Sequence, residues 1–307
     1  MAVYFLNLKT FGRSNGSSAV SAAAYRAGER IRDERSGKTY DHTDRQDVLH
    51  KEIILPGQFD ADDMAWARDR GNLWNAAESA ESRKNARVAR EYLVALPVEL
   101  SPHGRVELVR DFSRELVERY RFALDVTIHA PRNFPGSDPR NFHAHLLATT
   151  RELTTEGLGP KTTLEWNDAN RRDAGFPPVI DELLHVRRRW AATTNEALQE
   201  AHVDARIDHR TLQAQGIDRE PQPRVPRVAF EMERHGYRSE LAERIREEYQ
   251  ARVDFRQRSS ASQASDHQSL DEIRRQAREN WLRMRQSQAD LTLGESAERT
   301  QEDDLAR

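Results

Sequence analysis

Phe142-His143-Ala144-His145, together with the apolar run 122–128 that ends at His129, gives the strongest indication of fold and chemistry in this chain. Side chains two residues apart on a strand point to the same face, so His143 and His145 can approach one ligand together. The segment 130–141 is rich in Pro, Gly, Asn and Asp, which predicts that the two runs pair as antiparallel strands. Three neutral imidazoles on one ion leave coordination positions open, as a catalytic metal requires.

Two interpretations of these histidines follow from the residues alone. His-x-His pairs also occur in ordinary strands as solvated or hydrogen-bonded residues without a metal. A third histidine at the end of a neighbouring strand favours a metal site made of His129, His143 and His145. From these segments by themselves, both interpretations stay open.

A second informative segment is Ser17-Ser18-Ala19-Val20-Ser21-Ala22-Ala23-Ala24-Tyr25. It predicts a helix, because Ser17 or Ser18 can cap it and alanine favours it. Helical spacing places Ser18, Ala22, Tyr25 and Glu29 on one face, where small side chains would let a phosphate backbone approach the phenol. A tyrosine on such a helix is commonly a packing residue. Near a divalent cation it can instead attack a phosphate, because the metal polarises that phosphate.

Apolar periodicity predicts further strands at 3–8, 53–56 and 92–96, and helices at 60–87, 106–120 and 179–201. Together they predict an α+β fold, an antiparallel β-sheet flanked by helices, with a helical C-terminal extension. Segments 221–226 and 259–265 have the composition of linkers. A last helix carries an apolar stripe that either docks on the main domain or binds a partner. The stripe consists of Leu270, Ile273, Ala277, Trp281 and Met284.

Composition limits the class of protein. The 307 residues include no cysteine and no apolar run near 18 residues, which argues against a disulfide scaffold and membrane insertion. The first residues do not form a signal peptide, so we expect a cytoplasmic protein. A net charge of −3 gives no global basic field for DNA. Local basic clusters are either solvated helix faces or phosphate contacts. They are Arg30, Arg32 and Arg35; Arg83, Lys84, Arg87 and Arg90; Arg132 and Arg140; and Arg187, Arg188 and Arg189.

Six motifs occur in the order found in the MobA/MobL mobilisation relaxases, and the chain resembles that family over roughly its first 220 residues. The motifs are Ala2-Val3-Tyr4-Phe5-Leu6, the helix 18–29, Gly37-Lys38-Thr39-Tyr40-Asp41, the stretch 89–97, the three histidines, and the stretch 207–218. The family's His-Leu-Gly is replaced here by Arg227-Val228-Ala229, which leaves the contribution of that element open.

By this resemblance, Tyr25 corresponds to the DNA-nicking tyrosine. His129, His143 and His145 correspond to the metal ligands of the histidine-hydrophobe-histidine endonuclease superfamily, whose fold is the palm shared with rolling-circle initiators. Glu91 matches an acidic position of the second motif, where it would orient a ligand or the substrate, or stand as a strand-edge charge. The implied organisation is a relaxase domain at 1–220, a linker and helical extension at 221–258, and a flexible linker plus amphipathic helix at 259–307.

The resemblance implies a metal-dependent, site- and strand-specific DNA endonuclease and strand transferase of conjugative mobilisation. It would nick single-stranded DNA at a plasmid transfer origin through a 5′-phosphotyrosyl intermediate, with Mg²⁺ or Mn²⁺, accessory mobilisation proteins and a coupling protein. Rolling-circle replication initiators and transposases share this chemistry, but the position of Tyr25 ahead of the histidines favours a relaxase. A non-enzymatic DNA-binding protein with a degenerate site is the remaining alternative.

Overall fold

The structure, a computed structural model, describes residues 2–59, 62–131, 137–259, 272–279 and 281–283. Its strands are β1 (Leu6–Gly12), β2 (Arg30–Arg32), β3 (Thr39–Asp41), β4 (Val48–Ile54), β5 (Arg87–Ala95), β6 (Leu124–His129), β7 (His143–Thr149), β8 (Arg151–Thr154) and β9 (Gly157–Lys161). Its helices are α1 (Ala19–Ala27), α2 (Ala65–Arg68), α3 (Arg70–Ser79), α4 (Pro102–Tyr120), α5 (Asp168–Asp173), α6 (Val179–Glu200), α7 (Arg227–Arg234) and α8 (240–259).

The central element is a five-stranded sheet in the order β1-β5-β7-β6-β4. Every neighbouring pair of strands in it is antiparallel. The two short hairpins β2-β3 and β8-β9 stand outside this sheet. The expected α+β architecture, an antiparallel sheet flanked by helices, is therefore confirmed.

One face of the sheet packs against α4 and α6. Val126 of β6 and Leu146 of β7 belong to the buried cluster on this side, together with Phe112 of α4 and Trp190 of α6. The rings of Phe112 and Trp190 meet edge to face, with their centroids 5.0 Å apart. Burial of these side chains is the main free-energy contribution that holds the helices on the sheet.

The other face lies under α1 and α3. Ala23 and Trp74 contribute to a second buried cluster there, and Leu147 of β7 reaches it from the sheet. Because side chains alternate along a strand, the positions of β6 and β7 between the apolar ones point to this face. His129 and His145 are among those positions, so they lie on the side of the sheet that carries the tyrosine helix.

Several predicted boundaries are wrong. The helix predicted at 60–87 is two helices, because Asp69 accepts a hydrogen bond from the backbone N–H of Asn72 and caps α3 as a new helix. Strand β5 begins at Arg87, inside the predicted helix. Strand β1 runs to Gly12 rather than ending at residue 8, since Phe11 is buried in the cluster under α1. Likewise, β4 begins at Val48, before the predicted start of that strand.

The chain divides into two compact units, one ending at His209 and one beginning at Arg210. The predicted domain bounds at 220 and 258 stay a prediction. Residues 272–279 and 281–283 are helical, whereas Leu270, Met284 and most of the predicted linker at 259–265 lie outside the described residues. Within the described part of the chain, no helix is both long and apolar enough to span a membrane.

Candidate functional site

Three histidines meet at one end of the central hairpin. His129 is the last residue of β6 and pairs directly with His143, the first residue of β7. His145 lies two residues further along β7, on the same face. The ring centroids are 5.3 Å apart for His129 and His143, 4.8 Å for His129 and His145, and 5.3 Å for His143 and His145. One ligand nitrogen from each ring lies within 4.8 Å of the others, so the three side chains converge on one point.

Each histidine also donates one ring N–H to an oxygen atom. Nε2 of His129 lies 2.8 Å from the carbonyl oxygen of Arg26, and Nδ1 of His143 lies 3.0 Å from the carbonyl oxygen of Asn141. Nδ1 of His145 lies 2.6 Å from Oε1 of Glu91. Because these oxygens only accept, the remaining nitrogen of each neutral ring carries a lone pair. This arrangement fits the residues to a divalent ion, since metal-binding histidines are oriented by such oxygen acceptors.

Glu91 is a buried carboxylate between two donors. It lies on β5, accepts from His145, and forms an ion pair with the guanidinium of Arg26. Burial would raise the pKa of Glu91, but the hydrogen bonds from His145 and Arg26 outweigh it and lower the pKa to about 2. The carboxylate is therefore ionised at neutral pH and available as an acceptor. The geometry does not agree with a strand-edge charge, because β5 lies between β1 and β7 and the Glu91 side chain is buried.

Burial also keeps His129 neutral. The side chain is 1% exposed, and this burial, with the nearby imidazole of His145, lowers the pKa of His129 to about 3. The pKa of His145 is lowered too, chiefly by burial, although the adjacent Glu91 opposes the shift. A neutral imidazole is the form that binds a metal ion, so no proton has to leave His129 first.

The tyrosine helix α1 is defined at both ends. The Ser18 side chain accepts from the N–H of Ser21 and caps the start, while Gly28, at φ +61°, ends the helix in the left-handed region. Tyr25 is 38% exposed, on the last turn of the helix. The His42 ring meets the Tyr25 ring edge-on at 5.2 Å, and the Arg45 guanidinium lies over it at 4.2 Å.

The predicted face of α1 is partly wrong. Ala22 is buried at 7% exposure in the cluster under the helix, so its small size serves close packing rather than approach of a phosphate. Glu29 follows the end of the helix, and its carboxylate pairs with Lys51 and Arg70. Ser18 does not project from a helical face either, because it is the N-cap.

Two arginines join the tyrosine helix to the histidines. The carbonyl oxygen of Arg26 accepts from His129, and its guanidinium pairs with Glu91. Nη2 of Arg45 lies 3.4 Å from Nδ1 of His129. Neither residue stands out in the sequence as a site residue. For Arg26 its position next to Tyr25 was a usable signal, whereas nothing in the sequence around Arg45 indicates its contacts.

Each basic cluster identified in the sequence contains at least one arginine that pairs with a carboxylate. Arg30 pairs with Asp41, Arg35 with Glu78, Arg87 and Arg90 with Glu165, Arg140 with Asp138, and Arg189 with Glu115. Arg132 lies outside the described residues. The carboxylates partly offset the positive charge of the arginines they pair with. These arginines therefore attract a phosphate backbone less strongly than unpaired ones would.

Fold and site together define an α+β protein with a three-histidine candidate metal centre beside an exposed tyrosine. The model of the MobA/MobL family matches residues 17–235, and the chain belongs to this family. It is 34% identical over 273 residues to the mobilization protein MobL of Acidithiobacillus ferridurans, which covers 80% of this chain and 70% of that protein. The resemblance stated from the motifs is thereby confirmed.

A second relative agrees with this family, and one solved structure shares the fold. The chain is 31% identical over 278 residues to the probable mobilization protein MobA of Bifidobacterium longum, covering 80% of this chain and 47% of that protein. A solved structure described as "Molecular Basis of Vancomycin Resistance Transfer in Staphylococcus aureus" superposes with a TM-score of 0.55 and 28% identity. That superposition covers 68% of this chain and 100% of the other.

Proposed function

We propose that the protein is a metal-dependent, site- and strand-specific DNA endonuclease and strand transferase of conjugative mobilisation. It would nick a plasmid transfer origin and keep the cut strand on Tyr25 through a 5′-phosphotyrosyl bond. One observation carries the proposal: three histidines converge on one point, and Arg26, the neighbour of the exposed Tyr25, contacts both His129 and the Glu91 that orients His145.

The residues support an in-line transesterification. The Tyr25 hydroxyl oxygen would attack the scissile phosphorus and lose its proton to solvent, while the 3′ oxygen leaves with its electron pair and takes up a proton. A divalent ion held by His129, His143 and His145 would polarise the phosphate and stabilise the developing negative charge. One phosphate ester replaces another, so the same site can rejoin the strand without ATP.

The remaining parts of the proposal are the metal and the partners. Of Mg²⁺ and Mn²⁺, the imidazole donor set favours Mn²⁺, because nitrogen ligands suit Mg²⁺ poorly. The substrate would be single-stranded DNA at a transfer origin in the bacterial cytoplasm, exposed with the help of accessory mobilisation proteins. A coupling protein would then receive the covalent complex. The family membership and the names of the relatives support this setting.

The proposal can be tested by covalent capture. The protein is incubated with Mn²⁺ and with single-stranded oligonucleotides that tile the DNA flanking its own gene, and the products are separated in boiling detergent. We expect one oligonucleotide to give a covalent adduct. Tyr25→Phe should abolish this adduct and leave the fold intact, whereas the matched change Tyr40→Phe should retain it. An adduct formed by Tyr25→Phe at the wild-type rate contradicts the proposal.

A further inference from the structure

Arg45 lies in the loop between β3 and β4, and its guanidinium touches the tyrosine and a candidate metal ligand at once. Its Cζ atom lies over the Tyr25 ring, 4.2 Å from the ring centroid, and Nη1 donates to the carbonyl oxygen of Tyr25 at 2.6 Å. Nη2 lies 3.4 Å from Nδ1 of His129, the ring nitrogen left with a lone pair after Nε2 donates to the Arg26 carbonyl. One cation therefore contacts both the Tyr25 ring and His129.

Asp47 holds this guanidinium in place. Its carboxylate accepts from Nε and Nη2 of Arg45 in a two-pronged ion pair, and the two side chains are only 11% and 19% exposed. The carbonyl oxygen of Asp47 accepts from the N–H of Ala130 at 2.8 Å, which ties the loop to the residue after His129. Such a pair has a defined orientation, because a planar guanidinium matches a carboxylate at two points.

We propose that Arg45 is a positioning residue, which fixes the Tyr25 ring beside the histidine cluster and, in balance with Asp47, sets the affinity of that cluster for a divalent cation. The positioning of Tyr25 rests on the proposed function, whereas the control of metal affinity does not. Arg45 holds Tyr25 by a cation–π contact on the face of the ring and by a hydrogen bond to the Tyr25 carbonyl oxygen. The affinity is set by a positive and a negative charge close to the same ligand nitrogen.

The two charges act on the metal in opposite directions. A guanidinium next to His129 repels a divalent ion and competes for the lone pair of Nδ1. The Asp47 carboxylate attracts the ion, and the positive charge of Arg45 partly offsets this attraction. Removing the positive charge should therefore tighten metal binding, and removing the negative charge should weaken it. A role for the pair in folding alone would weaken binding in both cases.

Metal affinity can be measured without DNA, by calorimetric titration of the metal-free protein with Mn²⁺. We expect Arg45→Gln to lower the dissociation constant about tenfold and Asp47→Asn to raise it about tenfold, as a charge at this distance in a partly buried site requires. Arg45→Lys keeps the charge and should stay near the wild-type value. Arg114→Gln, at an exposed arginine paired with Asp111 on α4, is the control and should change nothing.

Positioning of the ring is measured by the single-turnover rate of adduct formation at saturating Mn²⁺. Both Arg45→Gln and Arg45→Lys should slow it about a hundredfold, because lysine lacks the planar group that stacks on the ring and a misplaced nucleophile is slow. Saturating metal removes the affinity difference, so a tighter-binding variant that reacts more slowly is the signature of positioning.

The outcomes separate the two proposals. The inferred control of metal affinity is wrong if Arg45→Gln binds Mn²⁺ no more tightly than the wild type. It is also wrong if Asp47→Asn binds Mn²⁺ with the wild-type affinity. If Arg45→Lys forms the adduct at the wild-type rate, positioning of the ring is wrong. If the wild-type protein forms no adduct with any oligonucleotide, the proposed function fails, and the titration still decides the influence of Arg45 on the metal.

Discussion

At the scale of single residues, the orientation of the three histidine rings depends on the oxygen atoms that accept their ring N–H groups. Glu91 accepts from His145 and from Arg26, so one buried carboxylate orients a candidate metal ligand and anchors the residue next to Tyr25. Such acceptors fix the orientation of an imidazole and raise its basicity as a ligand. We therefore expect Glu91 to affect the metal affinity directly, and the nicking reaction chiefly through the metal.

Glu91→Gln should weaken Mn²⁺ binding about ten- to a hundredfold, since a neutral amide lacks the charge that strengthens the hydrogen bonds from His145 and Arg26 and raises the basicity of the His145 ring. Calorimetric titration of the folded variant measures this change. Glu52→Gln is the matched control, because Glu52 also accepts from a histidine, with Oε1 2.8 Å from Nε2 of His50, away from the three-histidine cluster. Equal affinity losses in the two variants would show that the effect is not specific to Glu91.

The buried His129 makes stability depend on pH. Its pKa is about 3 in the folded protein, below the ordinary value of 6.5, so the unfolded chain binds more protons between these values. The metal-free protein should therefore lose stability as the pH falls through this window, by about 2 kcal/mol in total after allowance for relaxation. Glu91, with its pKa lowered to about 2, adds a further loss below its ordinary value of 4.5.

Urea denaturation in the presence of a chelator, at about pH 7 and about pH 5, measures this dependence. His129→Gln should reduce the difference between the two conditions, because it removes one of the groups that take up a proton on unfolding, while His145, whose pKa is also lowered by burial, retains part of the difference. His103→Gln, which changes an exposed histidine on α4, should retain the wild-type difference. A His129→Gln variant with the same pH dependence as the wild type would contradict the assignment.

At the scale of elements, the end of α1 decides where Tyr25 stands. Gly28 ends the helix at φ +61°, and a Cβ added there would lie 3.3 Å from Cγ2 of Val48 and 3.5 Å from Cβ of Arg45. The glycine thus meets two needs, a left-handed backbone and close contact with the loop that carries Arg45. Few other residues allow both.

Gly28→Ala should lower the free energy of unfolding by about 2 kcal/mol, from left-handed strain and crowding together. Gly37→Ala is the matched control, because Gly37 has φ +70° but no atom of the described residues lies within 4 Å of the added Cβ. That variant should lose only about 1 kcal/mol. Urea denaturation of both proteins gives the comparison, and an equal loss in the two would mean that contact with Val48 and Arg45 is unimportant.

At the scale of the whole molecule, the candidate site belongs to one unit. The tyrosine helix, Glu91 and the three histidines all precede His209, where the first compact unit ends. In the second unit, Arg252 of α8 pairs with Glu220, and Arg256 pairs with Asp218. The helical residues 272–279 follow beyond the end of α8.

A chain that ends at Ser259 should therefore keep its melting temperature and form the Tyr25 adduct as the full chain does. It should nevertheless lose plasmid mobilisation in cells, because the helical residues 272–279 and 281–283 carry the exposed Ile273 and Trp281, which suit binding to a protein partner. Thermal unfolding, covalent capture and a mating assay measure the three properties. Loss of both melting temperature and adduct on truncation would make the last helix part of the catalytic domain.

The sequence by itself determined the features that depend on local pattern. Alternation of apolar residues and a polar loop predicted the hairpin of β6 and β7, and with it the meeting of His129, His143 and His145, because the partners are neighbours along the chain. The serine cap and the alanine-rich stretch predicted α1, whose residues 19–27 form the helix as expected. The antiparallel sheet flanked by helices followed from the same patterns.

Only the tertiary structure decided which residues surround the histidines. Arg26 lies 103 residues before His129 and 65 before Glu91, and Arg45 lies 84 before His129. No periodicity encodes such contacts, since they depend on the packing of α1 and the β3–β4 loop against the sheet. The same packing buried Ala22, which the helical pattern assigned to the substrate face, because burying apolar surface against the sheet releases more free energy than leaving it in water.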